Sequence, residues 1–216
     1  MKMNAAGRIF LVLLLVLGVF PFGCAFAASK GETEMKKGLE LYSAKEYAEA
    51  ADRFHKASSL LEKEKKVMKA ADASYNEGLC RKSAQLDGSE TPEERYKRVL
   101  VAFDRAALLY SKAKEGTKEI NSLLQGAQVS FASASFSEAE ERYKSSNDKA
   151  KKLKSSLLQG LSLEGLGKIA IHRGQIGASR KFYIEAQSLL KDVPVARSRV
   201  TLQMAATLRK SGDMLG

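Results

Sequence analysis

The sequence carries a pattern of small and aromatic residues that is typical of helices stacked in pairs. In residues 38–57 a small residue is followed by Tyr, Phe or Ile nine positions later (here Tyr), by a small residue at twelve, an aromatic residue at sixteen and a small residue at nineteen. The last four positions are three or four residues apart, which places them on one face of a helix. These five residues are Gly38, Tyr47, Ala50, Phe54 and Ala57.

The same pattern recurs at a constant interval farther along the chain. Val99, Phe103 and Ala106 form a partial copy. Val99 and Ala139 are 40 residues apart, as are Ala139 and Ser179. Equal spacing of this kind indicates a repeat architecture. The two complete copies are Ala127, Phe136, Ala139, Tyr143 and Ser146, followed by Gly167, Ile176, Ser179, Tyr183 and Ala186.

The pattern resembles the tetratricopeptide repeat (TPR). The stretch GKIAIHRGQIGASRKFYIEA, residues 167–186, has the small residue, the turn Gly174 and the small-aromatic-small second helix in register. The resemblance covers residues 31–213, with a period of 40 instead of about 34 residues and an insert, AQLDGSETPEERYK, before Val99. It implies an all-α, right-handed solenoid of about four helix pairs with a C-terminal capping helix.

Physical reasoning gives each member of the pattern a role. Small residues such as Gly38 and Gly167 are predicted where two helices cross closely, and rings such as Phe54, Phe103 and Tyr143 are predicted to fill the wedge toward the next helix pair. Thr91-Pro92-Glu93-Glu94 is a strong helix start. The predicted helices are 31–44, 47–63, 67–84, 92–114, 118–133, 137–153, 156–173, 176–191 and 195–211.

The first 27 residues differ in kind from the rest and have the layout of a secretory signal peptide. A basic lead precedes the apolar run Ile9 to Phe20, and Ala25-Phe26-Ala27 offers small residues before a cut near Ala27/Ala28. The run has 12 residues, whereas a membrane span needs about 20. We therefore expect export to the periplasm or cell envelope of a bacterium, with the solenoid in residues 28–216. An uncleaved anchor and lipidation of Cys24 are the alternatives.

Composition and motifs do not favour catalysis. Removing residues 1–27 lowers the net charge from +11 to +9 and leaves Cys80 as the sole cysteine. Cys80 is interpreted as a small buried apolar group and not as a reactive thiol. QGLSLEGLGK fails as a phosphate loop, because Ile169 stands where Ser or Thr is required. His55 and His172 are not at metal-ligand spacing. No enzyme activity, metal or cofactor is expected.

Two lysine-rich runs suggest a second function. KEKKVMK (63–69) and DKAKKLK (148–154) occupy the same place in the repeat and would form a positive stripe along one edge of a regular solenoid. The alternative function is therefore an envelope-binding structural protein that binds anionic lipid or cell-wall polymer, with a tether at Cys24 in its lipoprotein form. The lysines could also simply complement helix dipoles. Nucleic acid is not expected as a partner, and assembly with further copies of the chain is a third possibility.

The TPR resemblance also implies a concave, partner-binding face lined by the first helix of each pair. Because Met35, Leu39, Leu124 and Gln128 replace the Lys and Asn of the carboxylate-clamping TPR domains, that clamp is absent. We expect an exported, non-catalytic scaffold that binds a peptide segment of another protein. Packing of Leu39 and Leu124 against neighbouring helices is the competing interpretation. The inward residues implied by matching positions are Met35, Leu39, Tyr42, Leu124, Gln128, Phe131, Glu164, Lys168 and His172.

Overall fold

A computed structural model describes residues 28–84 and 90–211, with the side chains of the last two residues excepted. Nine helices and no strands occur in these ranges, so the predicted all-α class is confirmed, with every helix end within two residues of its predicted position. None of these helices combines the length and the apolar character needed to cross a bilayer. The helices are α1 (Lys30–Ser43), α2 (Tyr47–Lys63), α3 (Val67–Ser83), α4 (Pro92–Lys112), α5 (Gly116–Ala132), α6 (Phe136–Lys152), α7 (Ser156–His172), α8 (Ile176–Leu189) and α9 (Pro194–Ser211). The predicted signal peptide and Cys24 lie outside the described residues.

Each helix packs against the helix before it and the helix after it. Pairing consecutive helices gives four hairpins, α1/α2 to α7/α8, and α9 closes the described part of the array. The predicted solenoid of four pairs and a final helix is therefore confirmed. Contacts also run from α5 to α7 and from α7 to α9, so the first helices of successive hairpins form a common face.

Six of the connections between helices are the same tight turn. In the α1–α2 turn Lys45 has a φ of 64°, its N–H donates to the Tyr42 carbonyl at 3.0 Å, and the Glu46 N–H donates to the Leu41 carbonyl at 3.0 Å. These two bonds define a Schellman motif, which satisfies the last carbonyls of one helix before the next begins. The sequence pointed to only one of the six left-handed residues, the glycine. The six are Lys45, Lys65, Lys114, Ala134, Lys154 and Gly174.

The connection between α3 and α4 is different because it holds the insert. Thr91 caps α4 as predicted: its hydroxyl accepts from the Glu94 N–H, and the Glu94 carboxylate accepts from the Thr91 N–H at 2.9 Å. The insert adds nine residues, so Gly38 and Gly78 are 40 residues apart while Gly78 and Ala127 are 49 apart. Gly78 is therefore the small residue of the second hairpin, which the sequence pattern missed.

The recurring rings are buried as predicted, but the small residues act differently from the prediction. A Cβ at Gly38 would lie 2.8 Å from Cε1 of Phe54, and one at Gly78 would lie 2.8 Å from Cε1 of Phe103. The small residue therefore makes room for a ring of its own hairpin and not for a second backbone. The same rings also touch the next hairpin, since Phe54 clusters with Cys80 and Phe103 with Val129.

Candidate functional site

The first helices of the last two hairpins and the final helix enclose a cavity of about 400 Å³. From α5 come Gln128 and Phe131, and from α7 come Lys168, Ile171 and His172. The structure thus brings four of the predicted inward residues to one place. The remaining lining residues are Tyr143, Gln203, Ala206 and Thr207.

Two rings that line this cavity, Phe131 and His172, form a cluster with the ring of Phe136 behind them. The His172 ring stacks on Phe136 with 4.8 Å between centroids and an interplanar angle of 27°. Phe131 meets both rings edge to face, at 5.4 Å from Phe136 and 5.0 Å from His172. Such contacts are favourable beyond the area that they bury, so the cluster holds its rings in fixed orientations. His172 is exposed and Phe131 half-buried, so apolar ring surface remains available to a ligand.

A second cavity of about 380 Å³ adjoins the first, because Gln128, Tyr143 and Lys168 line both. We call the two cavities together the α5–α7–α9 groove. The second cavity adds two more predicted residues, Leu124 and Glu164. Tyr143 is 5% exposed and its ring lies over Gly165 of α7, where a Cβ would overlap it. The other residues that line the second cavity are Asn121, Gln125, Leu161, Gly165 and Arg199.

Glu164 is a buried carboxylate shared by two cations. Lys168, one turn later on α7, places Nζ 2.8 Å from Oε1, and Arg199 of α9 donates from Nε at 2.9 Å and from Nη2 at 2.6 Å. Burial by itself would raise the pKa of Glu164, but the hydrogen bonds from Arg199 and Lys168 outweigh burial and hold this pKa below the usual glutamate value. Two cations facing one carboxylate leave the groove with a positive excess.

Lys82 of α3 adds a further positive charge beside the groove. Its ammonium donates to the side-chain oxygens of Gln125 at 3.0 Å and Gln128 at 3.3 Å. No carboxylate of the described residues pairs with it. The repeat pattern did not point to this residue, although Lys82 lies 40 residues after Tyr42, at the same place in the repeat.

The three inward residues predicted on α1 lie apart from both cavities. Leu39 is 47% exposed and Tyr42 is 44% exposed, with the Tyr42 ring edge-to-face against Tyr47 at 5.5 Å. Met35 is half-buried against the core. Packing against neighbouring helices, the competing interpretation for Leu39 and Leu124, describes Leu124, which is 5% exposed within the core. It does not describe Leu39, which faces solvent.

Cys80 and His55, which lie outside the groove, are held by packing and by an ion pair. Cys80 is buried, as predicted, and burial raises the pKa of its thiol to about 12, so the thiol is neutral at pH 7. His55 pairs with the buried Glu77, with 3.1 Å between Nδ1 and Oε1. Across the described ranges no three His, Cys, Asp or Glu side chains are grouped to hold a metal ion. The groove itself offers rings, apolar side chains, amides and positive charge.

No protein-family model and no curated protein matches the chain. Solved structures do match it. A variant of the nearly identical TPR-like repeats of a Podosopora anserina kinesin light chain has a TM-score of 0.63 at 10% identity, over 84% of this chain and 86% of that one. The repeats in a second crystal structure have a TM-score of 0.61 at 11% identity, over 84% and 87%.

A third similar structure is the Rap conjugation gene regulator of the plasmid pLS20, solved in complex with the Phr* peptide. It has a TM-score of 0.60 at 15% identity. The match covers 99% of this chain but only 61% of the length of the Rap chain. At such low identity these three likenesses show the fold, which is a TPR-like array of helical hairpins.

Proposed function

We propose that this protein is a non-catalytic scaffold whose α5–α7–α9 groove holds a peptide segment of a partner protein. The observation that carries the proposal is the pair of adjoining cavities on the first-helix face, with the rings of Phe131 and His172 beside the amide of Gln128. Stacked helical hairpins form extended concave surfaces, and a face of parallel helices suits an extended or helical segment.

The charge of the groove indicates the chemistry of that segment. Lys168 and Arg199 share one carboxylate, and the partners of Lys82 among the described residues are amide oxygens. A segment that carries apolar side chains for the aromatic cluster and carboxylates for these cations would complement both features. The similar Rap regulator was solved with a peptide, which supports this class of ligand for a fold of this kind.

Site-directed photo-crosslinking in cells tests the groove. A photoreactive residue at Ala206, which is exposed and lines the first cavity, is expected to give a discrete adduct with a partner. The same residue at Ile184, 51% exposed on α8, is the matched control and should give none.

A blocking variant makes this experiment decisive. Gln128→Trp places a large ring where both cavities meet, without removing any core atom, and should abolish the Ala206 adduct. Leu108→Trp, at a position 57% exposed on α4, should leave the adduct unchanged. An adduct that survives Gln128→Trp, or one of equal yield at Ile184, would show that the groove is not the binding site.

Export is the second part of the proposal. Its support is the sequence of residues 1–27, with a basic lead, an apolar run and small residues before Ala28. Mass spectrometry of the purified protein distinguishes the states of the N-terminus. A free Ala28 is expected, a lipid on Cys24 would instead indicate the anchored form, and an intact Met1 would contradict cleavage.

A further inference from the structure

One edge of the solenoid is rich in lysine. Consecutive helices run antiparallel, so the α2–α3, α4–α5, α6–α7 and α8–α9 turns lie at the same end of the array. We call these four turns the basic edge. Neighbouring parts of it touch: Lys118 Nζ lies 2.9 Å from Asp72 Oδ1, Lys149 Nζ lies 2.8 Å from Glu119 Oε1, and a Cβ at Gly160 would lie 2.5 Å from Leu190. A Cβ at Gly116 would lie 2.9 Å from Leu153. The turns therefore form one continuous surface.

The lysines of this edge are largely without partners. Eight of them are exposed, and their side chains form no hydrogen bond or ion pair with any described residue. Three exposed carboxylates, Glu115, Asp148 and Asp192, lie on the same edge and leave the lysines in clear excess. The eight are Lys63, Lys65, Lys112, Lys114, Lys151, Lys152, Lys154 and Lys191.

Helix dipoles explain only some of these positions. Lys63, Lys112 and Lys152 lie in the last turns of even-numbered helices, where a cation is favourable. Lys65, Lys114 and Lys154 lie just beyond the helix end at positive φ, a position that the pairing of cations with the last helical turn does not require. Two lysine runs on this edge, 63–69 and 148–154, are visible in the sequence. The structure adds the α4–α5 turn as a third between them, so that the positive charge is continuous.

The side chains mixed with these lysines indicate what the edge binds. Segments 63–69, 112–118, 148–157 and 190–194 contain no arginine and no aromatic residue. Proteins rely on arginine forks and stacking rings to bind nucleic acids, so this edge lacks those means. It instead has Leu153 and Leu157, 47% and 41% exposed, beside Lys151, Lys152 and Lys154. Diffuse ammonium charge next to apolar side chains suits the interface of an anionic bilayer.

We propose that the basic edge docks on the surface of a lipid bilayer that contains anionic phospholipid. The lysines lie over the headgroups, and Leu157 reaches the boundary with the acyl chains. The α5–α7–α9 groove lies on the first-helix face and not at this edge, so the membrane leaves it open. The proposal is independent of which segment the groove holds.

Vesicle co-sedimentation of the full chain tests this docking. The readout is the ratio of partitioning into vesicles of phosphatidylcholine with about 30 mol % phosphatidylserine to partitioning into pure phosphatidylcholine vesicles. Attraction common to both vesicles, such as that of the apolar residues 9–20, cancels in this ratio. The ratio should exceed one and fall when salt rises from low to about 0.15 M, because ions screen the lysines.

Two triple variants locate the effect. The edge triple variant combines Lys112→Gln, Lys151→Gln and Lys152→Gln. It should lower the ratio by about 30-fold or more, because each lysine near an anionic surface adds to the attraction. The matched control removes the same charge elsewhere, with Lys45→Gln, Lys97→Gln and Lys181→Gln on exposed, unpaired lysines away from the edge. Equal losses in the two triples would overturn the proposal, as would a ratio of one.

A final variant separates lipid from other polyanions. Leu157→Gln should weaken binding to the phosphatidylserine vesicles and leave any binding to a DNA duplex unchanged, since only a bilayer has an apolar layer to reach. Tighter binding to the duplex than to the vesicles, lost in the same edge triple, would assign the edge to nucleic acid and overturn the lipid proposal. A vesicle affinity that Leu157→Gln does not change would contradict the position given to that side chain.

Discussion

Single glycines control how tightly the hairpins of this protein close. Gly38, Gly78 and Gly167 each lie beneath a ring of the following helix, namely Phe54, Phe103 and Tyr183. Gly165 lies beneath Tyr143, whose ring reaches it from the preceding hairpin. In a helix interior, glycine is less favourable than alanine by about 1 kcal/mol. The close ring contacts are the physical reason why glycine stands there.

Gly165→Ala should therefore destabilise the protein in spite of its better helix propensity. The new methyl group would overlap the buried Tyr143 ring, and overpacking of this kind costs about 1–3 kcal/mol. Urea unfolding followed by circular dichroism measures the loss.

Gly177→Ala is the matched control. This glycine lies in α8 with nothing within 4 Å of a Cβ, so the same substitution should be neutral or stabilise by up to about 1 kcal/mol. If both variants shifted the unfolding midpoint in the same direction, ring contact would not be the reason for the glycine.

Among the connecting elements, the Schellman turns set the spacing of the array. Each places one residue in the left-handed region and lets the next helix start directly after it, without a side-chain cap in most cases. Outside glycine, this conformation costs about 1–2 kcal/mol for each residue. The repeated turn therefore has a stability cost at the five positions that are not glycine.

Exchanging residues between two of these turns should move stability in opposite directions. Ala134 and Gly174 have φ values of 61° and 70° in equivalent turns. Ala134→Gly should raise the free energy of unfolding by up to about 1 kcal/mol, and Gly174→Ala should lower it by about as much.

Thermal and urea unfolding of the two single variants and the double variant would check this. The two turns touch through the stack of Phe136 on His172, so the double variant also measures how far the two effects are coupled. A stabilising Gly174→Ala would show that this turn does not hold its left-handed conformation in solution.

In the whole molecule, the ion pairs of Glu164 fasten the final helix to the array. Arg199 of α9 reaches back 35 residues to this carboxylate, where Lys168 of α7 also binds. Arrays of this kind are stabilised by contacts between neighbouring units, so a weakened last interface should open locally before the rest unfolds.

The pH dependence of this interface has a definite sign. The pKa of Glu164 is lower in the folded protein than its usual value of about 4.3, so its contribution is present above that pH and is lost as the pH falls through the lower folded value. Glu164→Gln should cost about 1–2 kcal/mol at pH 7, and the variant should lose less stability than the parent protein between pH 7 and acid.

Hydrogen exchange of residues 194–209, measured at pH 7 and in acid, would show whether the loss of stability is local to α9. Glu141→Gln is the control, because Glu141 is exposed and has no ion-pair partner among the described residues. If Glu164→Gln left exchange in α9 unchanged at pH 7, the ion pairs would not fasten this helix.

The pattern of the repeat predicted the helices well but the site only in part. Helical periodicity and the capping residues around Thr91 are local, so they are visible in the chain. Gly78 was missed because the insert separates it from the ring of its own hairpin. Phe103 follows Gly78 by 25 residues, whereas Phe54 follows Gly38 by 16. Arg199 was missed because its partner lies 35 residues away, and nothing in its own neighbourhood signals a groove. The predicted α1 residues, such as Tyr42, stay a prediction, since no cavity described above includes them.

The order of small and aromatic residues is enough to fix that this chain forms helical hairpins and that they stack, because a hairpin with this pattern cannot cover its own apolar face. The same order says nothing about distances between side chains on different hairpins. Folding alone brings Phe131 to His172 and Glu164 to Arg199, and gathers lysines from separate turns onto one edge. Those distances depend on how each hairpin is rotated against the last, and that rotation is set by packing across the whole array.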